Sequence, residues 1–262
     1  MITLIRQLFR PRQAGQSPAI PAGERVYAIG DIHGRLDLLI SLADAIEADD
    51  KARGPANTTV VLLGDLVDRG PSSSGVLAFL QTWGKFRPLR ILTGNHEEVF
   101  LESFDCDDAM RQFLRIGGWE TLLSYGIDQP ALTAATLSEA RELMRAAVPE
   151  EDLDYIRGFQ DFLVIGDYLF VHAGIRPGVA LEEQTPVELR WIRKPFINSR
   201  DDHGHIVVHG HTITETPDIR PNRIGIDTGA YMSGQLTALG LEGSQRWLIE
   251  TAGNDATEEQ QA

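Results

Sequence analysis

Short apolar runs that stop at glycine recur along the first third of the chain. Val26-Tyr27-Ala28-Ile29 ends at Gly30, Thr58 to Leu63 ends at Gly64, and Leu89 to Leu92 ends at Thr93-Gly94. Runs of this length, rich in β-branched residues and closed by glycine, predict buried strands. Between the first two, Leu39, Leu42, Ala43 and Ile46 fall at i, i+3, i+4 and i+7, which predicts a helix over Leu36 to Ala48. Ser74 to Trp83 reads as a second helix. Strands alternating with helices predict parallel βαβ units.

The pattern changes at Glu97. From there to about Gln160 the chain is polar and helix-prone, broken at Gly117-Gly118-Trp119 and turning near Gly126-Ile127-Asp128. This stretch, 97–160, reads as a helical insertion on the α/β core. Beyond it, Phe162 to Ile165 and Tyr168 to Val171 form a hairpin pattern around Gly166-Asp167. Ile206 to Val208, Arg223 to Ile226, Gln235 to Leu241 and Arg246 to Glu250 read as further strands. The expected fold is therefore α/β, a sandwich of two mixed sheets flanked by helices. The folded domain is expected over 25–250. A loosely ordered basic head (1–24, with Arg6, Arg10 and Arg12) precedes it, and an acidic tail (251–262) follows. A short basic amphipathic anchor is the other reading of the head.

Charge and cysteine content narrow the function. A net charge of −14 repels a phosphate backbone, so duplex nucleic acid is not an expected partner. An anionic substrate would need cations gathered locally to overcome that field. The single cysteine, Cys106, cannot form an internal disulfide, which fits a reducing, cytoplasmic setting. No apolar run reaches the roughly 18 residues of a membrane span.

Each of the three glycine-closed strands is followed by donors: Gly30-Asp31-Ile32-His33-Gly34, then Gly64-Asp65-Leu66-Val67-Asp68-Arg69-Gly70, then Gly94-Asn95-His96-Glu97. Ligands bind beyond the carboxyl ends of strands in open α/β sheets, so these loops should meet. His172 closes the strand Tyr168 to Val171, and His211 follows Ile206 to Val208. Asp31, His33, Asp65, Asn95, His172 and His211 make a mixed carboxylate, amide and imidazole set, which suits Mn²⁺, Fe or Zn²⁺ better than Ca²⁺. Six such ligands are too many for one catalytic ion and suit two divalent ions that share a carboxylate. His209 reads as a supporting neighbour, and His203 and His205 as part of a solvated loop.

The motif order, completed by His172-Ala173-Gly174 and Gly210-His211-Thr212, resembles the calcineurin-like metallophosphoesterases. Within them it is similar to the phosphoprotein phosphatases in their bacterial and phage form, over residues 25–245 and most weakly in the insertion. Asp68-Arg69 and Glu97 favour that branch. So does Ile213, which stands where related families place a further histidine. The resemblance implies that Asp31 and His33 hold one ion, that Asp65 bridges, and that Asn95, His172 and His211 complete the other. It implies His96 as general acid oriented by Asp68, Arg69 as a phosphate ligand, and Arg193 as a second one, with Arg190 as runner-up. It further implies two ions, Mn²⁺ first, activating a water that attacks a phosphoserine or phosphothreonine ester.

Two other functions compete. A symmetrical bis(5'-nucleosyl)-tetraphosphatase shares the core motifs but usually carries Asp after the Asn-His pair, where this chain has Glu97. A metal-binding interaction module without catalysis would not need the acid and its partner.

Overall fold

Alternation within each apolar strand decides where its side chains go. In the computed structural model, which describes residues 17–252, β1 (Glu24–Ile29) sends Val26 and Ala28 to one face and Tyr27 and Ile29 to the other. Both faces are buried, as expected for a strand covered on two sides. β1 pairs in parallel with β2 (Asn57–Leu62), and β2 pairs in parallel with β3 (Leu89–Ile91). The crossovers are α1 (Leu36–Ala52) and α2 (Ser73–Trp83), the βαβ units expected.

The region after β3 folds into α3 (Asn95–Glu102), α4 (Asp107–Phe113), α5 (Trp119–Ser124), α6 (Gln129–Ala134), α7 (Leu137–Ala147) and α8 (Glu150–Arg157). Its helical character matches expectation, but α3 begins at Asn95, inside the third motif. The expected break at Gly117-Gly118 is a five-residue π-helical turn, Leu114–Gly118, joining α4 to α5. Gln160 returns to bridge Leu92 beside β3.

The second half supplies β4 (Phe162–Ile165), β5 (Tyr168–Val171), the short helices α9 (Pro186–Trp191) and α10 (Lys194–Ile197), then β6 (Ile206–His209). It ends with β7 (Asp218–Ile219), β8 (Arg223–Gly225), α11 (Ala230–Ser233), β9 (Thr237–Glu242) and β10 (Gln245–Glu250). The two-residue β7 is too short to be visible in the sequence pattern. The first sheet runs β10-β9-β1-β2-β3 and the second β4-β5-β6-β8-β7. Each mixes parallel and antiparallel pairs.

One core lies between the sheets: Val26 and Ala28 meet Tyr168, Phe170, Val208 and Ile224. A second seals the outer face of the first sheet beneath α1, α2 and the insertion, and a third seals Leu169, Val171 and Val207 beneath Leu189 and Phe196. Each fully buried Leu, Ile, Val or Phe contributes about 1.5–3 kcal/mol. This packing fixes the sheets so that the carboxyl ends of β1, β2, β3, β5, β6 and β8 lie at one edge.

Residues 17–24 of the expected head are described, and part of them packs on the core. Ile20 is buried in the inter-sheet core, its N–H donates to the Gly243 carbonyl, and the Ala19 N–H donates to Asp167. Two backbone bonds and a buried isoleucine hold this proline-flanked segment against the core. The basic stretch 1–16, and the tail from 253, lie outside the described residues, whereas the Thr251 N–H is bonded to Leu236. No helix among the described residues is long and apolar enough to cross a membrane.

Candidate active site

The loops at this edge turn through conformations that side chains seldom adopt. Among the described residues, the non-glycine positions with left-handed φ are His33, Asp65, Asp68, Arg69 and His211, with φ of 46° to 72°. All five are residues the motifs singled out. Left-handed backbone costs roughly 1–2 kcal/mol per residue, so surrounding contacts must hold it. Glu97 supplies much of that hold. It sits at the third position of α3, and its carboxylate accepts from the N–H groups of Gly94 (2.9 Å), Asp65 (2.8 Å), Leu66 (2.7 Å) and Val67 (3.3 Å). Burial and the neighbouring Asp65 push its carboxyl up to about 7 against those four donors. Close approach also demands glycine: a Cβ on Gly94 would strike Asp65, and one on Gly210 would strike Asp31.

Two groups of buried ligand atoms result: His33, Asp65 and His96, and Asp65, His172 and His211. Asp65 belongs to both. His172 Nδ1 lies 2.8 Å from the Leu63 carbonyl, which places its proton there and leaves Nε2 as a lone pair. That lone pair faces Asn95 Oδ1 at 3.0 Å, His211 Nδ1 at 3.2 Å and Asp65 Oδ1 at 3.4 Å. His33 repeats the device: Nδ1 is 2.8 Å from the Val67 carbonyl and Nε2 is 3.6 Å from Asp65 Oδ2. His211 Nε2 is buried without a partner. Acceptors converging on acceptors in a buried site are stable only with a cation among them. Burial keeps these imidazoles neutral, His33 down to about 3 and His211 down to about 2, with His172 also lowered. Burial opposes ionisation of Asp65 too, but attraction to the surrounding histidines in their protonated forms, of which His96 is the one raised, holds its carboxyl far below the ordinary range. Neutral imidazoles around an ionised carboxylate are what a divalent ion requires.

His96 belongs to the first group, with Nε2 3.9 Å from Asp65 Oδ2, and its Nδ1 lies 2.7 Å from Asp68 Oδ2. Burial works against its charge, yet Asp65 and Asp68 together raise its pKa. Arg69 NH2 lies 3.0 Å from His96 Nε2, and its guanidinium lies 4.7 Å from the centre of the Tyr231 ring. The insertion holds this pair in place. Thr121 Oγ1 donates to Asp68 Oδ1 (2.7 Å) and accepts from the Asp68 N–H (2.9 Å). The Arg69 N–H donates to the Gly117 carbonyl at 2.9 Å.

The structure separates the two arginine candidates. Arg190 is consumed by ion pairs with Glu98 and Asp161. Arg193 makes no ion pair among the described residues, and its charge acts on His172 and His211. Asp31 lies outside both three-residue groups. Its carboxylate accepts the His211 N–H (3.0 and 3.2 Å) and is hydrogen-bonded to Asp227. Burial raises both of these carboxyls, Asp227 up to about 6 and Asp31 well above the ordinary range. Asp227, Thr121 and Tyr231 were not singled out by the sequence. Asp227 was visible only as a donor after an apolar run ending at Ile226, and Thr121 carries no local signal. His209 is buried among Phe196 and Gly225 and joins neither group.

Comparison with known proteins agrees with this geometry. Residues 24–232 match the model of the calcineurin-like phosphoesterases. The chain is 28% identical over 239 residues to serine/threonine-protein phosphatase 1 of Salmonella typhimurium, covering 88% of this chain and 98% of that protein. It is 28% identical over 232 residues to an asymmetrical bis(5'-nucleosyl)-tetraphosphatase of Bacillus velezensis, covering 80% and 86%. Among solved structures, a putative diadenosine tetraphosphatase superposes with a TM-score of 0.61 at 20% identity, over 90% of this chain and 99% of that one, which supports the fold.

Proposed function

The chain belongs to the calcineurin-like phosphoesterases and is a phosphoric ester hydrolase, and from that premise we propose that it is a serine/threonine protein phosphatase that works with two Mn²⁺ ions. The observation that carries this reading is the sharing of Asp65 between two buried ligand groups, one of them containing His96, which is bonded to Asp68 and faced by Arg69. Asp31, His33 and Asp65 would hold one ion, and Asp65, Asn95, His172 and His211 the other. When bound, the ions would supply an activated water and positive charge to offset the phosphoryl oxygens.

The rest is done by the chain's own side chains. Arg69 and Arg193 bind and orient the phosphoryl oxygens, which answers the −14 charge of the molecule. Asp68 accepts a hydrogen bond from Nδ1–H of His96 and, with Asp65, favours its protonated form, so Nε2–H of that imidazolium is the proton handed to the leaving oxygen. Arg69 covers that nitrogen in the free protein and uncovers it on turning to phosphate. The free, exposed thiol of Cys106 supports a reducing, cytoplasmic compartment.

The protein-phosphatase reading is favoured by alignment with nearly the whole Salmonella enzyme. A dinucleoside tetraphosphate hydrolase is the second reading, favoured by the Bacillus relative at equal identity. The test is to strip the metal, restore Mn²⁺, and compare a phosphothreonine peptide with diadenosine tetraphosphate in one buffer. Metal-dependent phosphate release from the peptide in preference to the dinucleotide is expected. The opposite preference would transfer the protein to the second reading.

A further inference from the structure

A basic groove begins beside Arg193 and runs along α10, away from the active-site edge. That helix follows Arg193 and ends before Asn198, where two cavities adjoin and share Asn198, Ser199 and Arg200. One, of about 610 Å³, extends to Arg220 and Arg223 on the β7–β8 hairpin, and the other, of about 620 Å³, extends back to Lys194 beside Arg193.

Lys194, Arg200, Arg220 and Arg223 line these cavities against only two carboxylates, Asp201 and Asp218. Asp218 is held by Arg220 (2.6 Å) and Arg223 (2.5 Å). Arg223 is only 5% exposed, and its Nε has no partner. That clasp fastens the hairpin, since Arg223 also donates to the Ile197 carbonyl, but it does not account for Lys194 or Arg200. Neither of those cations makes an ion pair among the described residues. On a chain of net charge −14 this is a local excess of positive charge one short helix away from Arg193.

We propose that this groove binds acidic side chains flanking the phosphorylated residue of a phosphoprotein substrate, an inference that rests on the protein-phosphatase reading. Carboxylates match the guanidinium, amide and hydroxyl donors present. No aromatic ring lines either cavity, so nothing there would stack a nucleotide base. The five residue-to-residue steps from Arg193 to Asn198 rise about 7–8 Å in helical geometry. Extended peptide covers that in two to three residues at about 3.3 Å each. Acidic residues two to three positions from the phosphothreonine therefore reach the Asn198 corner, and those a little further out reach toward Arg220.

The experiment uses the full chain with Mn²⁺ and three substrates: p-nitrophenyl phosphate, a phosphothreonine peptide with neutral flanks, and the same peptide with glutamates two to five positions away on both sides. The wild type should show a KM about three- to tenfold lower for the acidic than for the neutral peptide, with similar kcat, and the difference should shrink in high salt. The double variant Arg200→Gln/Arg220→Gln should abolish the difference while leaving p-nitrophenyl phosphate hydrolysis unchanged. Equal KM for the two peptides in the wild type, or a preference that survives both high salt and the double variant, overturns the groove and leaves the phosphatase reading intact. If p-nitrophenyl phosphate and diadenosine tetraphosphate are cleaved but neither peptide is, both fall.

Discussion

His96 is the residue on which the chemistry turns, because two roles are open to its two nitrogens. Nδ1 is committed to Asp68 at 2.7 Å, while Nε2 faces Arg69 and, at 3.9 Å, Asp65. If Nε2 delivers a proton, His96→Asn should lower kcat on a phosphothreonine peptide by about 10²- to 10⁴-fold. The loss should be smaller on p-nitrophenyl phosphate, whose leaving group needs little protonation, and the bound metal content should be unchanged. Loss of a metal ion in that variant would make His96 a ligand instead.

Most of the site was legible at this scale. Each donor of the three motifs stands just after an apolar run closed by glycine, so His33, Asp65 and Asn95 could be read locally. Glu97 was legible only as a marker of resemblance. Its four backbone partners lie up to 32 residues away in the chain, and no spacing encodes them. Asp227 escaped notice because its meaning comes from Asp31, which only the pairing of the two sheets brings beside it.

At the scale of elements, the insertion does more than cover the core. Its π-helical turn and α5 reach the second motif: Gly117 receives the Arg69 N–H and Thr121 brackets Asp68. A Cβ on Gly117, where φ is 116°, would lie 2.7 Å from Arg69. Helical character over 97–160 was readable from composition, but the contact was not, because the two Asp68–Thr121 partners are 53 residues apart. Thr121→Val would leave the buried Asp68 Oδ1 without its donor, while the Asp68 N–H keeps Ser73 Oγ. It should cost about 1–3 kcal/mol of stability and lower kcat more than it raises KM, checked by thermal melting and steady-state kinetics. A variant as unstable as expected but with wild-type kcat would show that Thr121 supports the fold and not the orientation of Asp68.

At the scale of the molecule, two mixed sheets bring six strand ends to one edge, three from each sheet, and Asp65 stands where they meet. Outer helices seal both faces, so the loops at that edge can carry strained, polar and closely packed residues without unfolding the layers beneath. A chain of net charge −14 needs local positive charge to bind an anionic phosphoester, and Arg69, Arg193 and the proposed metal ions would supply it.

The central claim is that two ions share Asp65, and stepwise reconstitution tests it most directly. Metal-free protein would be titrated with Mn²⁺ while bound metal per chain and phosphate release are followed together. Two ions per chain, with activity rising mainly on the second and both ions weakened in Asp65→Asn, is the predicted result. Full activity with a single ion, or an Asp65→Asn variant that binds two ions as tightly as the wild type, would contradict it.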